Sequence, residues 1–444
     1  MHKRTVSGFS KKNKSEKIDW LAEHYFSDNG QLKEEWQSFE HSDSDLQKVF
    51  DAFSENTVAN YYMPYGVAPN FMIDGKVYAV PMVIEESSVV AAAASAAKFW
   101  LSRGGFQTEV RSTVKLGQLH FTWSGPSEKL QAIFSEIEAE LCQDAKPITA
   151  NMEQRGGGII GMELIDFTAE EAGYYQLRVR FETCDSMGAN FINSVLESFG
   201  DSLRRLGDTH QALRDYPLEI VMAILSNYTP ECIVRAQVSC PVDELEGACQ
   251  DMDGAAFAEK FRKAVRIAEI DPYRATTHNK GIFNGVDAVV LATGNDFRAI
   301  EACGHTHAAA DGQYRSLSHC TVEDGVFTFW LDLPLAVGTV GGLTKLHPLA
   351  RRSLELLDQP SAAELMSIIA ATGLAQNFAA VRSLVTTGIQ KGHMKMHLMN
   401  ILNFLGATDA EIKVTQDHFT DQIVSFNAVR AYLQTIRSGS IKTI

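Results

Sequence analysis

Residues 115–226 carry a succession of strand-like and helix-like patterns, and no other feature of the chain constrains its fold as much. In 174–183, apolar residues stand at every second position, which is typical of a half-buried strand. In 190–206, they stand three and four positions apart, as on one face of a helix. The order β-α-β-β-α-β predicts a ferredoxin-like domain. Its segments are a strand at 115–123, a helix at 127–142, strands at 159–167 and 174–183, a helix at 190–206 and a strand at 218–226.

We expect this small domain, residues 112–227, to be inserted into a larger one. Residues 1–111 and 228–387 would then form one discontinuous large α/β domain, and the predicted fold class is α+β. The patterned segments of the large domain are helices at 247–270 and 360–387 and strands at 287–293 and 325–333.

The two ends of the chain carry different signals. Residues 388–444 are predicted to form a helical C-terminal lid. Thr408 and Glu411 have the spacing of a capping box, and the apolar residues that follow predict one last helix. The basic N-terminus has no apolar core behind it, so we expect a solvated leader and not a signal peptide. The apolar residues of the last helix are Ile412, Phe419, Ile423, Phe426 and Tyr432.

Composition narrows the class of protein. The formal net charge of −15 disfavours nucleic acid and anionic membrane surfaces as partners. The longest uncharged, mostly apolar run, 87–97, is too short to cross a bilayer, so no membrane anchor is expected. Seven cysteines without a CxxC motif favour reduced thiols in a cytoplasmic protein over a disulfide framework or a zinc ribbon.

Residues 271–299 concentrate polar groups around a short apolar run. Arg274 suits a fork-like contact to a carboxylate, and Asn284 can hydrogen-bond a hydroxyl or carbonyl. Lys280 can stabilise a carbonyl oxygen as it becomes negative. His278 and Asp296 complete the group. The alternative is a set of loop caps and surface ion pairs.

Two further segments carry chemistry of their own. Glu85 and Glu86 end an apolar run and precede an alanine-rich helix, so one of them can be a general acid or both can be solvated helix-start carboxylates. Asp185 and Gly188 precede a helix whose N-terminus can hold a phosphate. The alternative there is an ordinary turn with Asp185 or Asn190 as a cap. There is no GxGxxG, so a Rossmann site is not supported.

These segments, over roughly residues 50–405, resemble the 3-hydroxy-3-methylglutaryl-CoA (HMG-CoA) reductase family in its soluble, bacterial class II form. The stretches 334–348 (PLAVGTVGGLTKLHP), 373–382 (GLAQNFAAVR) and 388–397 (GIQKGHMKMH) add to the resemblance. Ser186 departs from the usual alanine and Ser87 from the usual proline. The resemblance implies catalytic roles for Glu86, Lys280, Asp296 and His393, substrate contacts by Ser88, Arg274, Asn284, Gln376 and Arg382, and cofactor contacts by Asp185, Met187, Gly188, Ala189 and Asn190.

The reaction that the resemblance implies is reduction of HMG-CoA to mevalonate and free CoA with two NAD(P)H, or its reverse. Lys280 would stabilise the negative oxygen, with Asp296 beside it to orient it. Glu86 would be the general acid, and His393 would protonate the CoA thiolate. The resemblance also implies a homodimer with a shared active site and no metal.

Some alternatives stay open at the level of sequence. A different CoA-thioester oxidoreductase or a silent CoA-binding protein would fit the same scaffold. His393 and His397 share a helical spacing, but Met394 breaks the zinc motif HExxH. The choice between NADH and NADPH is expected near 144–158, and we favour NADPH, since no acidic residue aligns clearly with the position that selects NADH. That segment holds Asp144, Lys146, Glu153 and Arg155.

Overall fold

The computed structural model describes residues 4–27, 29–249, 251–386, 398–420, 422 and 424–438 and shows a mixed α/β protein. The strands are β1 (Tyr65–Ile73), β2 (Lys76–Val83), β3 (Gln107–Val110), β4 (Lys115–Trp123), β5 (Gly158–Asp166), β6 (Tyr174–Glu182), β7 (Leu218–Ser226), β8 (Ile233–Pro241), β9 (Ser318–Glu323) and β10 (Val326–Pro334). The helices are α1 (Lys14–Tyr25), α2 (Asn29–Ser38), α3 (Ser44–Asp51), α4 (Val89–Leu101), α5 (Ser127–Ala132), α6 (Phe134–Asp144), α7 (Lys146–Glu153), α8 (Ala189–Thr209), α9 (Gly254–Ile270), α10 (Pro272–Ala292), α11 (Phe297–Ala308), α12 (Leu343–Leu346), α13 (Pro348–Leu356), α14 (Ala362–Val385), α15 (Asp409–His418) and α16 (Phe426–Arg437).

A four-stranded antiparallel sheet occupies the middle of the chain, in the order β5-β6-β4-β7. Its alternate residues, such as Leu119 and Leu177, are buried with the apolar face of α8 in one hydrophobic cluster. The predicted order of strands and helices is present. The single helix expected at 127–142 was wrong, because the helix breaks at Ile133 and the chain continues as α6 and α7.

A second sheet, in the order β3-β8-β10-β9, packs with α9, α10 and α14 around the largest core. The strand predicted at 325–333 is confirmed as β10, and the helices predicted at 247–270 and 360–387 correspond to α9 and α14. The strand predicted at 287–293 was wrong, since these residues are mainly the last turns of α10. A short apolar run buried on all sides does not reveal its own period.

Helices α10 and α14 cross at close range because glycine stands at the crossing on each of them. A Cβ on Gly285 would lie 2.7 Å from the Thr372 carbonyl oxygen, and one on Gly373 would lie 2.7 Å from a methyl group of Val286. Among the described residues, α14 is the one helix long and apolar enough to cross a membrane, yet 72% of its most apolar window is buried inside the protein. It forms the centre of the core.

Both ends of the chain differ from expectation. The basic N-terminus is not simply a solvated leader: Lys14 begins α1 and pairs with Asp51 at 2.9 Å, and Lys17 is buried. The capping box at Thr408 and Glu411 is confirmed. The helix it starts ends at His418, however, and α16 begins at Phe426, so one long last helix was wrong. The residues near these two helices form a separate small hydrophobic cluster, whose buried members are Leu398, Ile401, Leu402, Phe419, Val424, Val429 and Leu433.

Candidate active site

The centre of the candidate site is an ion pair between two distant parts of the chain. Lys280 on α10 donates to Glu86 Oε2 at 2.8 Å, and Asn284, one helical turn further on, donates to the same oxygen at 3.4 Å. Glu86 lies in the short link between β2 and α4, whereas Glu85 is exposed without a hydrogen bond or ion pair to any described residue. The structure thus separates the two adjacent glutamates.

This ion pair opens to solvent on one side. The side chain of Lys280 is 61% exposed and that of Glu86 is 34% exposed. Beside Lys280, Gly281 leaves open space, because a Cβ there would meet nothing within 4 Å. The buried Gln376 packs against α10 at Gly285 and leaves its Oε1 without a partner among the described residues. A polar ligand can therefore reach the ion pair from the solvent side.

Ser88 and Arg274 stand without polar partners in the described part of the chain. Ser88 is the N-cap residue of α4 but its side chain makes no cap hydrogen bond. Arg274 lies in the first turns of α10, half-buried, and burial lowers its pKa. A half-buried guanidinium without a carboxylate partner is suited to an anionic ligand.

Asp296 is held by its own helix. It is the N-cap residue of α11, where its carboxylate accepts from the N–H groups of Arg298 and Ala299 and pairs with the Arg298 guanidinium at 3.0 Å. Burial opposes the effect, but these hydrogen bonds lower the pKa of Asp296. Within 4.0 Å, Lys280 has Glu86 as its ion-pair partner and not Asp296, so the expected contact of Asp296 with Lys280 is not formed in this structure.

The loop before α8 is tightly folded. Gly188 adopts φ 90°, and a Cβ there would lie 2.5 Å from the Thr183 methyl group, so glycine is required. Ser186 accepts from the Gly188 N–H at 3.0 Å, which closes the turn. No side chain caps α8, so the backbone N–H groups of Ala189 and Asn190 stay available. An uncapped helix start of this kind fits a phosphate.

The same loop contacts the start of α14 and the segment that follows β10. Asp185 accepts from the Ala362 N–H, at the start of α14, at 2.7 Å. Gly338 donates to Asn295 at 2.9 Å, and a Cβ on Gly338 would lie 2.4 Å from the Met187 nitrogen. Gly338 therefore lets two parts of the protein approach each other closely.

Arg382 lines a groove beside α4. Its Nε donates to the Ala248 carbonyl at 2.7 Å, its guanidinium lies 5.2 Å from the Phe99 ring, and burial lowers its pKa. The groove, about 1080 Å³ and open to solvent, is also lined by the small residues Ala92 and Ser95 of α4. The alanine-rich helix was expected from the sequence, but its place as one wall of a groove was not.

Residues 144–158, which are expected to select between NADH and NADPH, contain two acidic side chains that already have partners within the protein. Asp144 pairs with Arg205 at 2.5 Å and accepts from Ser202, while Glu153 accepts from Thr149 and pairs with Lys146. Arg155 is exposed, and its backbone carbonyl accepts from the Cys184 thiol of the loop before α8.

Two of the sequence-level questions concern histidines. His393 and His397 lie outside the described residues. In the part of the chain that the structure does describe, no three His, Cys, Asp or Glu side chains are grouped to hold a metal ion. His305 bonds Tyr314 and His319 pairs with Glu269.

Comparison with known proteins places this site in context. A family model described as hydroxymethylglutaryl-coenzyme A reductase matches residues 14–398. The 3-hydroxy-3-methylglutaryl-coenzyme A reductase of Archaeoglobus fulgidus is 37% identical over 397 residues, which are 88% of this chain and 86% of that protein. The probable reductase of Borreliella burgdorferi is 34% identical over 352 residues, 79% and 78% of the two chains.

Solved structures give the same result. The 3-hydroxy-3-methylglutaryl-coenzyme A reductase of Streptococcus pneumoniae matches with a TM-score of 0.71 and 34% identity, covering 98% of this chain and 100% of that one. A structure of the class II enzyme from the same organism, bound to NADPH in open conformations, matches with a TM-score of 0.70 and 36% identity over 86% and 100%. The fold and the matches define a nicotinamide-dependent oxidoreductase. More narrowly, the chain belongs to the class II HMG-CoA reductase family.

Proposed function

We propose that this protein interconverts HMG-CoA and mevalonate plus CoA in two reductive steps, with Lys280 and Glu86 at the reacting carbonyl. The observation that carries the proposal is their 2.8 Å ion pair beside Asn284 and the open space at Gly281. The lysine stabilises the oxygen that becomes negative in each step. Glu86 holds the lysine and is the general acid for the aldehyde step.

The roles of Asp296 and His393 are also proposals. Asp296 would orient Lys280. For direct contact with Lys280, the Asp296 carboxylate must first break its hydrogen bonds with the Arg298 guanidinium and with the backbone at the start of α11. His393 would protonate the CoA thiolate as the hemithioacetal collapses. It belongs to the C-terminal part of the chain, 388–444, which we propose acts as a helical lid over the site.

We propose that the substrate lies along α10 and the groove beside α4. Arg274 would bind the terminal carboxylate, since it is half-buried without an anionic partner among the described residues. Ser88, Asn284 and Gln376 would contact the acyl part, with the free Oε1 of Gln376 as an acceptor. The CoA arm would follow the groove toward Arg382.

The cofactor is proposed to bind the small domain, residues 112–227, inserted in the large domain, 1–111 and 228–387. Asp185 and Met187 would shape the loop, while Gly188, Ala189 and Asn190 would present the start of α8 to a phosphate. The bound nicotinamide supplies hydride. We favour NADPH, because Asp144 and Glu153 are held by other residues, and comparison of kcat/KM for NADPH and NADH tests the preference.

We further propose a cytoplasmic homodimer with a shared active site. The exposure of Lys280 and Glu86 leaves one side of the site uncovered. Tyr273, one residue before Arg274, is 88% exposed, and Ile270 is 53% exposed. A second copy that covers this apolar margin would complete the site. Sedimentation at several protein concentrations measures the assembly.

Replacement of Lys280 tests the proposed chemistry. Lys280→Ala should lower kcat for HMG-CoA and for mevaldehyde by about 10²–10³-fold, because the lysine stabilises charge that develops only during reaction. The exposed Lys260→Ala on α9 is the matched control and should retain wild-type rates. Near-normal reduction of both substrates by Lys280→Ala, with an unchanged melting temperature, would refute the assignment.

A further inference from the structure

His278 lies in the interior beside the proposed carboxylate site, and the roles given above leave it unused. Its side chain is 1% exposed, and its Nε2 lies 2.6 Å from Ser318 Oγ. Its Nδ1 is buried without a hydrogen-bond partner among the described residues. A buried polar atom without a partner is costly and rare. A partner that arrives with the working state of the enzyme is therefore expected.

With the Asn377 amide oriented so that Oδ1 accepts, the hydrogen bonds on the far side of the ring assign its tautomer. The Ser318 hydroxyl donates its single hydrogen to Asn377 Oδ1 at 2.7 Å. Nε2 must then donate to Ser318 Oγ, and Nδ1 carries a lone pair. Burial, followed by the charge of Arg274, lowers the pKa of His278 to about 3, so the ring stays neutral at working pH. Nδ1 is consequently a hydrogen-bond acceptor that has no donor among the described residues.

Arg274 is the donor that the fold places nearest along α10. It stands four residues before His278, on the same helical face, and side chains on a helix lean toward its N-terminus. The His278 ring thus lies over the turn that holds Arg274. Arg274 itself makes no hydrogen bond or ion pair with the described residues, although it is half-buried. The two unpartnered groups are complementary.

We propose that His278 is a positioning residue for Arg274: its Nδ1 accepts from the guanidinium when Arg274 grips the substrate carboxylate. The ring itself does not touch the substrate. Ser318 and Asn377 hold the ring, and the ring holds one edge of the guanidinium, which leaves the other edge for a two-point contact with the carboxylate. This inference rests on the proposed function, which turnover of HMG-CoA by the wild-type enzyme tests separately.

Two substitutions separate this role from a structural one. His278→Asn keeps an acceptor at the Nδ1 position, whereas His278→Gln keeps a polar group at the Nε2 position and loses that acceptor. We expect His278→Gln to raise KM for HMG-CoA and Ki for free 3-hydroxy-3-methylglutarate by about tenfold, the value of one charge-assisted hydrogen bond. His278→Asn should lie closer to wild type. In both variants kcat and the Ki of free CoA should stay within about twofold, since CoA lacks the carboxylate.

The deciding measurement repeats His278→Gln in an Arg274→Ala background. If His278 acts through Arg274, His278→Gln should hardly raise the KM of the Arg274→Ala variant further, because the contact between the two side chains is already lost. A full additional tenfold rise in that background would overturn the proposal. So would an equal rise in the Ki of free CoA, or a larger loss in His278→Asn than in His278→Gln.

Discussion

A single carboxylate oxygen joins the residues on which the proposed chemistry depends. Glu86 Oε2 accepts from both Lys280 and Asn284, so a change in Glu86 protonation alters the hydrogen bonds of both. In the proposed mechanism, Lys280 loses its ion-pair partner when Glu86 takes up a proton, and its charge would then stabilise a substrate oxygen. These contacts support the proposal that Glu86, and not Glu85, is the general acid.

His393 is expected to act in one half of the reaction. His393→Gln should lower kcat with HMG-CoA by about 10²-fold or more, because glutamine can hydrogen-bond the thiolate but cannot protonate it. Mevaldehyde has no thiolate to release, and its reduction should fall only a few-fold. Steady-state rates with the two substrates provide the measurement. Equal losses with both would show that His393 supports the fold or the binding of every ligand.

Residue identity was easier to predict from the sequence than residue contact. Arg274, Lys280 and Asn284 were selected by residue type and by the family resemblance, whereas the helix that carries all three was not predicted. The bond of Asp185 to Ala362 could not be predicted, because it joins segments 177 positions apart through a backbone N–H that any residue offers. The Asp296–Arg298 pair competes with the contact expected for Asp296, and no spacing rule ranks such local competitors.

Helix α10 gathers more of the candidate site than any other element. It carries Arg274, His278, Lys280 and Asn284 and is fixed by the close crossing with α14. Its last turns were mistaken for a strand, since 288–292 is an unbroken apolar run with no polar residue to reveal its period. The sheet of β4 to β7 was predicted better. Its strand β6 has apolar residues at every second position, and α8 has them at helical spacing.

Helix α10 also contributes one half of an acid pair. Burial, followed by the charge of Glu301 and a hydrogen bond with it, raises the pKa of Asp287 to about 8. An unfolded chain releases this proton near the ordinary pKa of about 3.9. The folded state therefore binds the proton more tightly, and its stability falls as pH rises from the unfolded value to the folded one.

Asp287→Asn should remove this dependence, because the amide stays neutral and can still donate to Glu301. The variant is expected to melt at a higher temperature than wild type at pH 8, with a difference that shrinks toward pH 5. Thermal unfolding at both pH values measures it. A difference that is independent of pH, or larger at pH 5, would contradict the shared proton.

At the scale of the whole molecule, Gly338 links the loop before α8, where we propose that the cofactor binds (the cofactor loop), to the turn between α10 and α11. Its N–H binds Asn295, next to the start of α11, and its missing side chain makes room for the Met187 backbone. Through these contacts, we expect a displacement of the loop before α8 to shift the α10–α11 turn. We expect the two parts of the site to respond together when either ligand binds.

Gly338→Ala tests this link. The new Cβ would lie 2.4 Å from the Met187 nitrogen and push the cofactor loop outward, so KM for NADPH should rise more than KM for HMG-CoA. Gly161→Ala is the matched control, since a Cβ there meets nothing within 4 Å and the backbone is not left-handed. An equal rise in both KM values would show general damage instead of a local effect.

The most direct test of the account is the stoichiometry of the wild-type reaction. With HMG-CoA in limiting amount, two equivalents of NADPH should be oxidised for each free CoA thiol released, and mevalonate should be the organic product. A panel of other acyl-CoA thioesters should give no comparable rate. Oxidation of one equivalent with accumulation of the aldehyde, or turnover of another thioester in preference to HMG-CoA, would contradict the central claim.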